Sequence, residues 1–443
     1  MRVRGAPPPI TLPSRMVASL ALVLFACTSS TGKPAPSIPL AVTADPDNVT
    51  RAVARWAPDV PGEVWLGYGD GLRTPVTTGA EMRLLGLVPG EATTVRLESA
   101  DGVLGETTFT AGPLPGDLAV PERVGAASDA GDWVAVASFG FGGPVPSVVV
   151  LDGQARTVGY WRFDGLGDTM QGHPVVYSLR HTPGVLWAMV GEAGRQRIAR
   201  LPLDGSEVSY IDAPGAHHDF VVRADGSVAW LRAVARATDA GPVTGDEIVV
   251  HAPDGTERVA WSAFDTFPVE RHYGWDAFPG IPGDWTHANG LDWDAEGGRW
   301  TVSLYWLREL VVIDDATGAV VQTLAGRETA AGFGPQHGPI WVGDGWWLYD
   351  NNDAGAGSRA LHLSPEGEVL AEWFHGEFSG AMGDVSLTDD GGMLVTAGVL
   401  PGLWRLDADL TPVWDVRWPI GHTVGAAEAI GDLYEGWLPS DVD

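Results

Sequence analysis

The sequence predicts an all-β protein, a six-bladed β-propeller preceded by a small β-sandwich. Short runs of Val, Leu, Ile and Trp alternate with clusters of Gly, Asp and Pro, which is the pattern of strands joined by tight turns. Glycine (59 residues) and proline (33) are abundant, while 45% hydrophobic and 19% charged residues are typical of a globular chain. A pattern of about four short strands recurs roughly every 40 to 50 residues, which is the sequence signature of a propeller.

The chain begins with a targeting segment. Three arginines precede an apolar run at residues 16–26, which is too short to span a bilayer and suits a secretory signal. The stretch LFAC ends at Cys27, the only cysteine, and resembles a bacterial lipobox; cleavage near Ala26 with an incidental cysteine is the alternative. We therefore expect a signal peptide at 1–26, an acylated Cys27 and a flexible tether at 27–38. The predicted location is the bacterial cell envelope, facing the periplasm or the cell surface, with membrane contact through this anchor only.

Residues 39–112 form the predicted sandwich. Alternating segments such as 51–56, 63–68 and 94–98 are typical of half-buried strands. The stretch LGLVPG at 85–90 resembles the corner of fibronectin type III domains, although the tyrosine usual in the following strand is missing. The segment holds no cluster of His, Asp or Glu, so we expect it to act as a spacer or support.

Residues 113–443 form the predicted propeller. After the linker GPLPG at 112–116, strand pairs and closing turns define six units. The first unit spans about 132–165, and the others begin near His173, His218, His287, His337 and Gly383.

The charge of the chain limits its partners. The formal net charge is -30, and Lys33 is the only lysine. Such a surface repels phosphate backbones, so nucleic-acid binding is not expected. A lysine-based mechanism is likewise excluded for the folded part, and an anionic substrate must be received by Arg, His or backbone N–H groups.

Three histidines occupy the same point of the repeated pattern. His218, His287 and His337 each precede a short apolar run, a turn with Asp or Glu and Gly, and a second apolar run. Equivalent positions of propeller blades converge on a common axis, so the three imidazoles are expected to meet at one mouth of the channel. His173 is a possible fourth member, but its spacing to the following turn matches only the His287 repeat.

Polar neighbours accompany these histidines. Asn289 lies two residues after His287 and shares its face if the segment is a strand. The run Asp350, Asn351 and Asn352 follows the His337 unit; it is either part of the site or ordinary turn chemistry.

Three motifs together resemble those of bacterial arylsulfate sulfotransferases: HHDF at 217–220, WTHAN at 285–289, and QH at 336–337 with the later YDN at 349–351. The resemblance covers nearly the whole mature chain. It implies a six-bladed propeller and a nucleotide-independent ping-pong reaction, in which an aryl sulfate donates its sulfuryl group to a histidine and a phenol then accepts it. It also implies that His337 is the nucleophile and that His218 and His287 hold the sulfuryl oxygens or assist proton transfer. No cofactor is implied.

One position departs from the family pattern. Where the family has an arginine at the end of a serine-serine-arginine stretch, this chain reads SLY, with Tyr305 in place of the cation. We expect Tyr305, Asn289 and Asn351 to bind substrate. The missing arginine leaves open a non-catalytic cell-surface propeller that binds an aryl ligand or a protein partner. A third hypothesis is a metal site of three histidines, although the sequence has no metal-type spacing.

Overall fold

The computed structural model describes residues 38–125, 133–140, 145–163, 175–192, 195–239, 241–269, 283–330, 332–352 and 357–437. Cys27, the predicted signal and tether, and His173 lie outside these ranges. The described residues belong to one compact unit, which begins at Ile38.

Seven strands form two antiparallel sheets at the start of this unit. Their sheet orders are β1-β2-β5 and β4-β3-β6-β7. Alternate residues of β2, β3 and β6 are buried between the sheets, as the period-two pattern requires. The strands are β1 Leu40–Ala44, β2 Ala52–Trp56, β3 Trp65–Tyr68, β4 Leu72–Arg73, β5 Glu81–Leu84, β6 Ala92–Ser99 and β7 Gly102–Thr110.

The next 25 strands form six further antiparallel sheets of four or five strands. The first of these sheets contains β9 Trp133–Gly140, β10 Ser147–Leu151 and β11 Thr157–Arg162, and it is completed by a strand from near the end of the chain. The second contains β12 Val175–Thr182, β13 Val185–Glu192, β14 Arg195–Pro202 and β15 Ser209–Asp212. The third contains β16 Ala216–Val222, β17 Val228–Thr238, β18 Gly241–His251 and β19 Glu257–Ser262.

The three remaining sheets follow the same order along the chain. The fourth contains β20 Ala288–Asp294, β21 Arg299–Leu304, β22 Glu309–Asp314 and β23 Val320–Ala325. The fifth contains β24 Gln336–Trp341, β25 Trp346–Asp350, β26 Arg359–Leu363 and β27 Val369–Phe374. The sixth contains β28 Asp384–Leu387, β29 Met393–Thr396, β30 Gly402–Leu406 and β31 Pro412–Arg417, with β8 Glu122–Arg123 added at its edge.

The six sheets are arranged in a propeller-like cyclic order. The strand that completes the first sheet, β32 (His422–Ile430), pairs with β9. Each of β32, β12, β16, β20, β24 and β28 contacts the next strand in this series, and β28 contacts β32 again. These six strands therefore form a closed series of contacts and are called the inner strands below. The cyclic contacts explain how residues far apart in sequence reach one place.

The prediction of an all-β fold is confirmed. In the described part of the chain, helix is limited to the single turn α1 at Ala263–Thr266. None of the described helical segments has the length and apolar character needed to cross a membrane. Stability comes from apolar residues buried between neighbouring sheets, among them the fully buried tryptophans Trp230, Trp285 and Trp300.

Candidate functional site

The structure brings the three phased histidines together. His218 lies on β16, His287 immediately precedes β20, and His337 lies on β24. The ring centroids of His218 and His287 are 4.9 Å apart, and those of His218 and His337 are 6.4 Å apart. Three neighbouring inner strands thus present their imidazoles to one point.

Backbone irregularities place these side chains. The pairing register shifts beside each histidine, between Ala216 and Phe220, between Ala288 and Gly290, and between His337 and Ile340. Such bulges re-aim side chains and are frequent next to active sites.

Left-handed backbone accompanies each bulge. His218 and His287 have φ values of 55° and 47°, a conformation that non-glycine residues seldom adopt. In the third repeat Gly338, which follows His337, has the positive φ of 51°. Local strain of this kind is held by the surrounding structure and is concentrated at functional sites.

Asn351 fixes the tautomer of His337. The Asn351 Nδ2 donates to the carbonyl oxygens of Ser379 and Met382, both at 2.8 Å, so its Oδ1 must face His337. The His337 Nδ1 lies 2.6 Å from that Oδ1 and therefore carries the proton that it donates. The Nε2 of neutral His337 is left with a lone pair, which is the form of imidazole that acts as a nucleophile.

Burial keeps two of the histidines neutral. Burial lowers the pKa of His337 to about 3, against the opposing effect of its hydrogen bond to Asn351. Burial, together with the neighbouring His287, His217 and His337, lowers the pKa of His218 well below its usual value. Both imidazoles are uncharged near neutral pH.

His287 contacts a carboxylate directly and His218 is linked to one through His217, and the sequence pattern revealed neither carboxylate. The His287 Nδ1 lies 2.8 Å from Oδ2 of Asp284, which also accepts a hydrogen bond from Trp306 Nε1 at 2.7 Å. The His218 Nδ1 lies 2.9 Å from the Nδ1 of His217, whose Nε2 lies 2.9 Å from Oδ1 of Asp246. Asp284 is three residues from His287 and could have been noticed, whereas Asp246 belongs to β18 and nothing in the pattern marks it.

Asn289 offers a buried donor at the site. Its side chain lines a cavity of about 30 Å³ together with His218 and His337. The Asn289 Oδ1 accepts a hydrogen bond from Ser303 at 2.8 Å, but its Nδ2 has no acceptor among the described residues. A buried amide nitrogen without a partner is unfavourable by about 1–3 kcal/mol, so this donor is available to a group bound in the cavity. The cavity has room for about two water-sized groups, which suits a small anionic group but not an aryl ring.

Tyr305 lies beside two of the histidines. Its ring centroid is 5.4 Å from that of His287 and 5.5 Å from that of His337, and its hydroxyl donates to the carbonyl oxygen of Gly380 at 3.3 Å. Tyr305 and Arg308 belong to the turn between β21 and β22 and not to a strand, so strand alternation does not govern the direction of Arg308.

Charged residues of the inner strands lie close to the histidines, and Asp219 and Asp384 line the same cavity as His218 and His337. Arg180 on β12 pairs with Asp219 on β16 at 2.6 Å and approaches Glu428 on β32 at 3.9 Å. Burial raises the pKa of Asp384 to about 7 and that of Glu428 to about 8, although the charge of Arg180 opposes both shifts. Arg180 is therefore already engaged by carboxylates.

The predicted residues thus fall into one site, apart from Cys27, which lies outside the described part. Among the described residues, no group of three or more His, Cys, Asp or Glu side chains has the arrangement needed to hold a metal ion. The three imidazoles instead have hydrogen-bond partners of their own.

A protein-family model matches part of the chain. Residues 164–334 match the family model "Arylsulfotransferase (ASST)". This match supports an arylsulfotransferase-family assignment. The matched segment includes His218, His287, Asn289 and Tyr305, and ends shortly before His337.

No protein with a curated function matches the chain in sequence. Among solved structures, it is similar to a protein of unknown function from Bacteroides caccae, with 14% identity over 68% of this chain and 100% of that chain and a TM-score of 0.42. It is also similar to a streptogramin B lyase, with 12% identity, coverage of 70% and 97%, and a TM-score of 0.40. A third is apo AztD from Citrobacter koseri, with 10% identity, coverage of 67% and 98%, and a TM-score of 0.38.

Proposed function

We propose that this protein transfers a sulfuryl group from a phenolic sulfate ester to a phenol through a covalent sulfohistidine at His337. The observation that carries the proposal is the hydrogen bond between His337 Nδ1 and Asn351 Oδ1, because it gives a buried, neutral imidazole with its Nε2 lone pair available. A neutral imidazole is a competent nucleophile, and its N-sulfuryl adduct is reactive enough to pass the group on.

Two features around His337 support this chemistry. The Asn289 Nδ2 is a preorganised donor for an oxygen of the sulfuryl group, because its own oxygen is held by Ser303. His218 and His287 lie within ring-contact distance of each other and are proposed to hold the remaining oxygens or to move protons. Asn351 is proposed to position the nucleophile, since its three polar contacts are with His337 and two carbonyl oxygens.

Tyr305 is proposed to contact the aryl group. Its ring lies close to the rings of both His287 and His337, and aromatic rings favour stacked or edge contacts with other rings. Because Tyr305 supplies no positive charge, we expect slower turnover than a site with an additional cation would give.

The architecture is proposed to be that of a six-bladed propeller with a fibronectin-III-like sandwich in front. The support is the cyclic contact of six inner strands and the strand orders β1-β2-β5 and β4-β3-β6-β7. We further propose that residues 1–26 are a signal peptide and that acylated Cys27 anchors the protein in the cell envelope.

The test is incubation with 4-nitrophenyl sulfate and phenol, followed by intact-mass measurement. We expect release of 4-nitrophenolate and a mass increase of one sulfuryl unit that is absent in His337→Ala. The control is His251→Ala, which removes a histidine that contacts Glu257 away from the site. Absence of turnover and of the adduct in the unaltered protein would contradict the proposal and favour a binding role for aryl anions.

A further inference from the structure

A chain of three hydrogen-bonded side chains leads away from His218. The Asp246 Oδ1, the imidazole of His217 and the Nδ1 of His218 are joined by two contacts of 2.9 Å. We infer that Asp246 and His217 form a proton relay that makes His218 the base for the phenol acceptor. This inference rests on the proposed sulfuryl transfer and adds two positioning residues to it.

The ionised state of Asp246 sets the direction of this chain. Burial alone raises the pKa of Asp246, but hydrogen bonds from His217, Thr286 and the Ala288 N–H outweigh it and lower the pKa below the usual value. Its Oδ2 accepts from the Thr286 hydroxyl at 2.5 Å and from the Ala288 N–H at 2.7 Å. The carboxylate can therefore only accept at Oδ1, so the Nε2 of His217 carries a proton and donates it.

The remaining protons follow from that assignment. With its proton on Nε2, neutral His217 has a lone pair on Nδ1 and accepts from the Nδ1–H of His218. His218 then carries its lone pair on Nε2. His218 and His337 line the same cavity, so His218 is part of the site where the sulfuryl group is proposed to be transferred.

The carboxyl groups of Asp219 and Asp384 line the same cavity as His218, and neighbouring imidazoles act on its pKa. The groups whose charges act on it are His217 on its own strand, His287 before β20 and His337 on β24. Each would repel a proton placed on His218. The carboxylate of Asp246 faces His217. It therefore stabilises an additional proton on His217, which is one ring further from the cavity than His218.

In the acceptor step the sulfuryl group passes from His337 to the phenol. The phenol oxygen attacks the sulfur of the His337 adduct, the S–O bond forms and the S–Nε2 bond breaks, which returns neutral His337. The phenol proton passes to His218 Nε2, and the Nδ1 proton of His218 moves to His217 Nδ1. The positive charge then lies on His217 beside Asp246, and it is available to protonate the phenolate that leaves in the next donor step.

The two half-reactions separate this inference from the proposed function. The leaving group of 4-nitrophenyl sulfate departs as a phenolate and needs no proton, so adduct formation at His337 does not use the relay. Transfer to phenol, whose pKa is about 10 like that of tyrosine, does. Single-turnover measurements of adduct formation and of adduct decay with ring-substituted phenols report the two steps independently.

The main variant is Asp246→Asn. In this variant the amide oxygen of the asparagine accepts the hydrogen bond from the Ala288 N–H, so the amide NH₂ group faces His217. The NH₂ group donates to the Nε2 of His217, and the proton of that ring must then lie on Nδ1. His218 must then accept at Nδ1 and carries its proton on Nε2, where it can no longer act as a base. The corresponding Asp→Asn change in the serine-protease triad lowers kcat about 10⁴-fold through the wrong tautomer.

We expect Asp246→Asn to form the adduct within about threefold of the normal rate but to transfer it to phenol about 10²- to 10⁴-fold more slowly. The deficit should shrink as the acceptor phenol becomes more acidic. His217→Gln should show the same acceptor-specific loss, because the glutamine amide can still donate to Asp246 but cannot pass a proton on. His251→Gln is the matched control, since it makes the same substitution at a histidine that contacts Glu257 away from the site, and it should leave both steps nearly unchanged.

The relay would be overturned if these variants slowed both half-reactions equally for all phenols. It would also be overturned if both Asp246→Asn and His217→Gln transferred the sulfuryl group at the normal rate. Either result would leave the sulfohistidine route intact. If the unaltered protein forms no adduct, the proposed function fails and the relay fails with it. If Asp246→Asn does not fold, His217→Gln decides the outcome.

Discussion

Replacement of Asn289 gives the sharpest prediction, because it should greatly reduce activity and change the stability of the fold only slightly. The side chain is 4% exposed, its Oδ1 is held by Ser303, and its Nδ2 has no acceptor among the described residues. In Asn289→Ala the sulfuryl oxygens lose a preorganised donor. Loss of one such donor lowers kcat about 10²- to 10³-fold, which corresponds to about 2.7–4 kcal/mol.

The effect of Asn289→Ala on folding should be small. The hydrogen bond to Ser303 is worth about 0.5–1.5 kcal/mol, whereas removal of the unpaired amide nitrogen relieves about 1–3 kcal/mol. Ser303 keeps its contacts with Gln336, whose carbonyl oxygen and Nε2 lie 3.2 and 3.1 Å from the serine Oγ. We therefore expect the free energy of unfolding to change by less than about 2 kcal/mol, in either direction.

The assay combines adduct formation from 4-nitrophenyl sulfate with urea unfolding. Asn289→Asp should lose more activity than Asn289→Ala, because it points a carboxylate oxygen at an anionic group. The matched control is Asn48→Ala, another buried asparagine, whose Oδ1 and Nδ2 are both bonded, to Thr50 and to the Tyr160 carbonyl oxygen. That control should lose stability and keep its kcat. Unchanged adduct formation in Asn289→Ala, or a loss of activity that simply follows a loss of stability, would refute the assignment.

Three further predictions concern charge, pH and backbone. Tyr305→Arg should raise kcat for sulfuryl transfer about 10²- to 10³-fold by adding a cation beside His287 and His337, and an unchanged kcat would show that the site does not lack this donor. The pKa of His337 is about 3 in the folded chain and about 6.5 when unfolded, so the unfolded state binds more protons between these values. Stability is thus retained above about pH 6.5 and lost as the pH falls towards 3, and urea midpoints should fall less steeply with acid in His337→Gln than in the unaltered protein. Gly338→Ala should lower the Tm well below that of Gly332→Ala, because both glycines have a positive φ but only a Cβ at 338 would collide with Asp384; equal Tm values would contradict this.

The sequence predicted the parts of the site that repeat. His218, His287 and His337 share a phase because the inner strands of equivalent sheets occupy equivalent positions. Asn289 lies two residues after His287, and Asn351 directly follows β25, the strand after that of His337. The all-β class follows from the same periodicity, since strands and turns each have a local signature.

The parts that the sequence did not predict depend on contacts between strands distant in the chain. Asp246 reaches His217 because β18 and β16 belong to one sheet, and no local pattern distinguishes Asp246 from the many other acidic residues. The positive φ of His218 and His287 was equally hidden, because tertiary packing imposes it against the ordinary preference of a histidine. The direction of Arg308 could not be inferred from strand alternation, since a turn begins at Tyr305.

The pairing of β32 with β9 determines at which stage of folding the site forms. Ile430 pairs with Trp133, so the ring closes only when a strand near the end of the chain docks beside one of the earliest. Contacts between segments so distant form late, because the entropy of closing the intervening loop must be overcome first. Gly425 and Ala426 of the same strand line the cavity that holds His218 and His337. A chain still being synthesised, or one clipped before β32, would therefore carry all three histidines without the complete cavity that His218 and His337 line. The proposed sulfuryl transfer would then appear only at the last step of folding.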